Sequence, residues 1–237
     1  MNATIAMITL RGLFGRRRFL LLFVLPVLLV ALTAFAASSD VPAIEWSGTL
    51  LDALGLGAVV PLMALLVGIG VLGNEIDDGT IAHILAKPLA RGEIIQAKLL
   101  VAVGASALVV VPAMFLVGEL AEGPSLAFGL AVGSLLAVIV YSAIFVAISI
   151  VSSRPMIIAL GYVVLWEGFL GNFVGGTRML SVRHYALSLA DSVSGSDLLT
   201  KQVSLPVSLV LAGVITVGAT LLAVDRLRSY QLAGETG

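Results

Sequence analysis

The chain reads as long apolar runs separated by short polar breaks. Six runs stand out: 19–37, 50–72, 94–117, 125–151, 156–174 and 205–224. Each is close to the roughly 20 residues that an α-helix needs to cross a hydrocarbon core. The pattern therefore predicts an all-α integral membrane fold of six transmembrane helices. The fourth run is 27 residues long, so it tilts or extends past the bilayer. Ahead of the first run, residues 1–18 place Ala3, Met7, Leu10 and Phe14 at helical spacing, with Arg11, Gly15 and Arg18 on another line. That pattern fits an N-terminal interfacial elbow helix. Arg16-Arg17-Arg18 imitates a twin-arginine export signal, but the rest of the chain is itself apolar enough to be membrane-embedded, and that reading is set aside.

The polar breaks are unequal. Residues 38–49 form an outer loop with Asp40, Glu45 and Trp46, and the second run follows with Asp52 near its outer end and Pro61 as a kink. Between the second and third runs, Asn74 to Lys98 holds seven charged residues in a chain that is only 11% charged. Asp77 or Asp78 caps a short helix from Gly79 to Lys87, since a carboxylate accepts from free N–H groups and suits the helix dipole. Ile81, Ile84 and Leu85 share one face of it, and Thr80, His83 and Lys87 another. Pro88 stops it. A new helix starts near Arg91, and Lys98 at the inner end of the third run reaches to the headgroups. Segment 175–204 is an outer segment with Arg178, Arg183, His184 and Lys201, in which Ser181 to Asp191 reads as a short amphipathic surface helix.

Composition narrows the class. Hydrophobic residues make up 59% of the chain and mean hydropathy is +1.14, whereas soluble domains carry about 25% charged residues. Nothing in the formal charge of −1 points to nucleic acid, and with no cysteine there are no disulfides or thiolate metal sites. With the N-terminus inside, ten basic residues lie on the inner side and three (Arg178, Arg183, Lys201) outside. The positive-inside rule then puts both termini in the cytoplasm, in a multi-pass protein of the plasma membrane.

The chemistry is sparse. Lys87, Lys98 and Lys201 follow Ala86, Ala97 and Thr200, so no P-loop glycine precedes a lysine. His83 and His184 fall on opposite sides of the membrane and cannot share a metal. No catalytic, cofactor-binding or metal site is expected in this chain. Glu167 is the one acid clearly within a run. A carboxylate there is either a pathway group, because buried charge is costly, or an interfacial one beside Trp166.

Glu75, Gly79-Thr80-Ile81, Leu85, Pro88, Arg91, Ile94 and Lys98 together resemble the signature of permeases of type-2 ATP-binding-cassette (ABC) exporters. The resemblance implies that 74–93 is a cytoplasmic coupling segment docking into a separate ATPase subunit. Its docking residues would be Glu75, Asp77, Asp78, Gly79, Thr80, Ile81, Ile84, Leu85, Pro88 and Arg91. It further implies that ATP and Mg are bound by that partner, that the permease pairs with a second copy or a sister permease, and that cargo is exported. The alternative, which also belongs to this family, is a mechanical transmitter acting on an outer-side maturation or assembly partner docked on 175–204.

Overall fold

The computed structural model describes residues 18–77, 90–170, 177–200 and 203–232. All regular structure among these residues is helical. Helix α1 is Arg18–Ala37 and carries Pro26 in its interior. Helix α2 (43–77) is continuous but changes pitch: Ala43–Ser47 is α-helical, Gly48–Val59 takes the wider i→i+5 pattern, and Val60–Asp77 is α-helical again. The wide stretch ends at Val60, whose N–H reaches Gly55 O, immediately before Pro61. Pro61 has no N–H and its ring crowds the carbonyl four residues back, so a widened turn is a natural way to admit it. Residues 43–49, expected in an outer loop, are thus the first turns of α2.

Helix α3 (Arg91–Ala121) and helix α4 (Pro124–Val151) form an antiparallel hairpin. Its two-residue turn relies on Gly123, at φ 118°, a backbone region open chiefly to glycine. Pro124 opens α4 where a missing N–H costs nothing. Just before the turn, a Cβ on Gly118 would lie 2.6 Å from the Ala127 Cα, so the helices touch backbone to backbone.

The fifth run is built differently from its expectation. Helix α5 (155–170) begins α-helical over Pro155–Gly161 and widens over Tyr162–Leu170. A 3-10 turn at Thr177–Leu180 leads into helix α6 (Val182–Ser194), and helix α7 (Leu205–Leu232) closes the bundle. Along α5 the order of contacts on α4 is fixed. Ile158 shares a groove with Ile148, Tyr162 stacks edge-on against Phe145, and Glu167 lies beside Tyr141. Helix α6 then takes over, with Ala186 against Gly133, Ala190 against Gly129 and Ser194 against Ser125. So α5 and α6 together run antiparallel to α4, as two pieces laid along one helix. Residues 181–191 are therefore not a surface helix. Val182 to Ser188 and Ala190 are buried, because Gly129 and Gly133 let the α6 backbone lie directly on α4.

Helix α4 is the centre of the fold, touching α2, α3, α6 and α7. Four helical stretches are long and apolar enough to cross a membrane: Ala43–Leu72, Arg91–Ala121, Pro124–Val151 and Leu205–Ser229. Two further apolar helices, Leu22–Ala37 and Pro155–Gly168, are shorter. The chain is thus a helical, multi-pass membrane protein.

The tight α4–α6 contact makes a direct prediction. A Cβ on Gly133 would fall 2.5 Å from Ala186 O, whereas one on Gly104 of α3 meets open space. Gly133→Leu should lower stability by about 1–3 kcal/mol or more through overpacking, and Gly104→Leu should not. Thermal unfolding of the detergent-solubilised protein, followed by tryptophan fluorescence, makes the comparison.

Candidate functional site

The polar groups of the bundle interior gather where α5 gives way to α6. In the widened part of α5, residues five apart stack on one face, so the Tyr162 hydroxyl meets Glu167 Oε1 at 3.4 Å. Glu167 is 1% exposed. Its Oε2 accepts from Ser181 Oγ at 2.5 Å, and its Oε1 accepts from Val182 N–H at 3.0 Å. Val182 is the first residue of α6, and the opening N–H groups of a helix have no partner within it. Ser181 holds the capping position but makes no side-chain cap of its own; Glu167, from the preceding helix, fills that role. The helix dipole favours negative charge at this end.

Further contacts fix the arrangement. The Ser181 hydroxyl also lies 3.0 Å from His184 Nδ1, so the imidazole joins the same group of polar side chains. Trp166 Nε1 donates to Leu180 O at 3.2 Å, and the Tyr185 hydroxyl donates to Met179 O at 2.5 Å, tying down the turn before α6. The Tyr141 hydroxyl is buried beside the carboxylate. One residue into α6, Arg183 grips Asp52 of α2 with two contacts: Nε to Oδ1, and Nη2 to Oδ2 at 2.6 Å. This fork-to-carboxylate geometry is the strong form of an ion pair. Gly57 makes room for it, since a Cβ there would stand 3.3 Å from Arg183 Cδ.

The cluster is a fastening. Glu167 is neither solvated at an interface nor open to a passage in this conformation. Among the described residues no group of His, Asp and Glu could hold a metal. Sequence reasoning found Glu167 and Arg183 but not their partners, Ser181 and Asp52. One signal was present: a buried charge needs a partner, and Asp52 and Arg183 are opposite charges bordering apolar runs.

At the other end of the bundle lies the segment expected to dock an ATPase. Asp78, Gly79, Thr80, Ile81, Ile84, Leu85 and Pro88 are outside the described residues. The backbone of Glu75 and Asp77 belongs to the end of α2, and Arg91 is the half-buried first residue of α3. Lys98 does not reach to headgroups. It is 1% exposed, and its ammonium donates to Val71 O on α2 at 3.0 Å. A helix carbonyl has a second lone pair to offer, and a buried charge must take what partners the interior has. The contact pins the inner ends of α2 and α3 together, so both flanks of 73–90 start from a fixed base.

Replacing the cap separates its two roles. Glu167→Leu leaves the Ser181 hydroxyl and the Val182 N–H unsatisfied and should cost about 2–4 kcal/mol. Glu167→Gln keeps one acceptor oxygen and should cost less than half as much. Unfolding midpoints of the two variants in the same detergent test the order.

The family profile of ABC-2 family transporter proteins matches residues 16–174, about two thirds of the chain. No curated protein matches. The matched stretch takes in the fifth apolar helix with Glu167, the α3–α4 hairpin and the segment flanked by Val71 and Lys98. The chain belongs to the ABC-2 family of transporter proteins, as a membrane-embedded permease.

Proposed function

We propose that this permease is the membrane half of an ABC exporter, driven by a separate ATPase subunit docked on residues 74–93. The family supplies the general frame, in which such a permease works with an ABC ATPase and as a dimer. The observation that carries the docking site is the Lys98–Val71 clamp. A lever can pass force to a bundle only if its two ends are rigidly seated, and this contact seats them. Glu75, Asp77, Asp78 and Arg91 lie at the flanks of the segment, and Ile81, Ile84 and Leu85 supply the apolar face for the partner's groove. ATP and Mg belong to that partner. Six spans, an elbow at 1–18, both termini in the cytoplasm of a plasma-membrane protein, and a second copy or sister permease complete the reading; the excess of basic residues on the inner side supports the orientation, with Arg183 now counted inside the bundle rather than outside it. ATP-driven closure of the ATPases would push the coupling segments and rock the bundles. Glu167 would then join the pathway only in a conformation in which α6 leaves its cap.

The transmitter alternative relied on an outer segment free to dock a partner. The burial of Ser181 to Ser188 on the bundle removes that part of the surface, which weighs toward the exporter.

The test is at the apolar face. Loss of an interface anchor costs about 2 kcal/mol or more, roughly thirtyfold in affinity. The Ile81→Asp, Leu85→Asp double variant should insert and fold normally, with an unchanged unfolding midpoint, yet lose its ATPase on co-purification. Full retention of a coupled ATPase would show the segment to be an ordinary loop.

A further inference from the structure

A groove of about 210 Å³ opens on the side of the bundle, between the C-terminal half of α4, the start of α5 and α7. Ile144, Ala147 and Ile148 form its floor, Ile158 one wall, and Ala219 and Leu222 the other. Its lining is almost wholly apolar. It lies at the same end of the bundle as Lys98 and Arg91, because α3 and α4 form an antiparallel hairpin.

Two arginines lie close in sequence to the groove residues. Arg154 is the residue before Pro155, bracketed in sequence by the groove residues Ser152 and Ile158, and it is exposed. Arg226 is exposed on α7, one turn beyond Leu222. At about 100° per residue, Arg226 falls close to the line bisecting Ala219 and Leu222, while Asp225 falls roughly 90° away from it and Arg228 farther still. Among the described residues, two exposed cations thus border the groove residues in sequence, and Asp225 falls on another face of α7.

We propose that this groove binds one acyl chain of an anionic phospholipid from the surrounding leaflet, with the headgroup phosphate held by Arg154 and Arg226. Apolar walls that open sideways into lipid, beneath two exposed cations, match such a molecule in both shape and charge. Basic sites between helices at the membrane surface select anionic headgroups on these grounds. A zwitterionic lipid fits the walls equally well but gains little from the arginines. The bound chain would wedge α5 between α4 and α7, bracing the helix that carries Glu167. This site rests on the multi-pass reading alone and is independent of any ATPase.

The full-length permease, purified in a neutral detergent, is titrated with phosphatidylglycerol or phosphatidylcholine of identical chains, and bound lipid is counted by native mass spectrometry. Wild type should prefer phosphatidylglycerol by about tenfold or more, each arginine contributing about fivefold. Arg154→Gln with Arg226→Gln should abolish the preference while leaving chain binding. Ala219→Phe should fill the groove and reduce binding of both lipids, and a circular-dichroism melt confirms that each variant is folded. A phosphatidylglycerol preference that survives the double glutamine variant, or binding indifferent to Ala219→Phe, would overturn the site. Neither result would touch the ATPase-docking reading, which is scored by co-purification.

Discussion

A single carboxylate, Glu167, decides how the second half of this bundle is put together. Inside an apolar helix bundle there is no water to satisfy the N–H groups at the start of a helix, so a helix cannot begin there unless something caps it. Glu167 reaches from the widened end of α5 to Ser181 and Val182 and makes that start possible. The result is two helical pieces, α5 then α6, laid one after the other along α4. Broken helices are tolerated inside membrane proteins where the freed backbone is re-satisfied by protein, and they are natural places for motion.

The other polar contacts make sense around that cap. The Asp52–Arg183 pair fastens the same end of α6 to α2, and Ser125 Oγ, donating to Ser194 O at 2.8 Å, fastens its far end to α4. Between them, Gly129 and Gly133 hold the two backbones in contact. Lys98 performs an equivalent service between α2 and α3, the helices on either side of the proposed docking segment in sequence. Among the described residues, the hydrogen bonds that cross between helices include Lys98 to Val71, Ser125 to Ser194 and the Arg183–Asp52 pair. Apolar contacts, by comparison, give packing in lipid but little directional preference. The polar joints are thus where the shape is chosen, and where a push from a partner would be felt.

This distribution also explains what could be read from the residues alone. The helical class follows from hydrophobicity, and α3 begins at Arg91 as the spacing predicts. The resemblance carried by Glu75 to Lys98 agrees with the family. The fate of 181–191 was not legible. Arg183, His184 and Ser188 give α6 a polar stripe like that of a surface helix, and their actual burial depends on partners such as Asp52, 131 residues away. Lys98 misled for a related reason: a lysine near a helix end ordinarily finds water, and only the approach of α2 supplies Val71 O instead. Pairings set by tertiary approach leave no local pattern, while the requirement that a buried charge be paired does leave a trace in composition.

The claim that Glu167 seats α6 on α4 is open to one direct measurement. The chain has no cysteine, so cysteines placed at Ser125 and Ser194 form the only pair able to bridge. The account predicts rapid, near-complete disulfide formation under mild oxidation in membranes, and a marked loss of that bridge when Glu167→Leu is added. Absence of a bridge in the otherwise unaltered chain, or a bridge that forms equally fast without the Glu167 carboxylate, would contradict it.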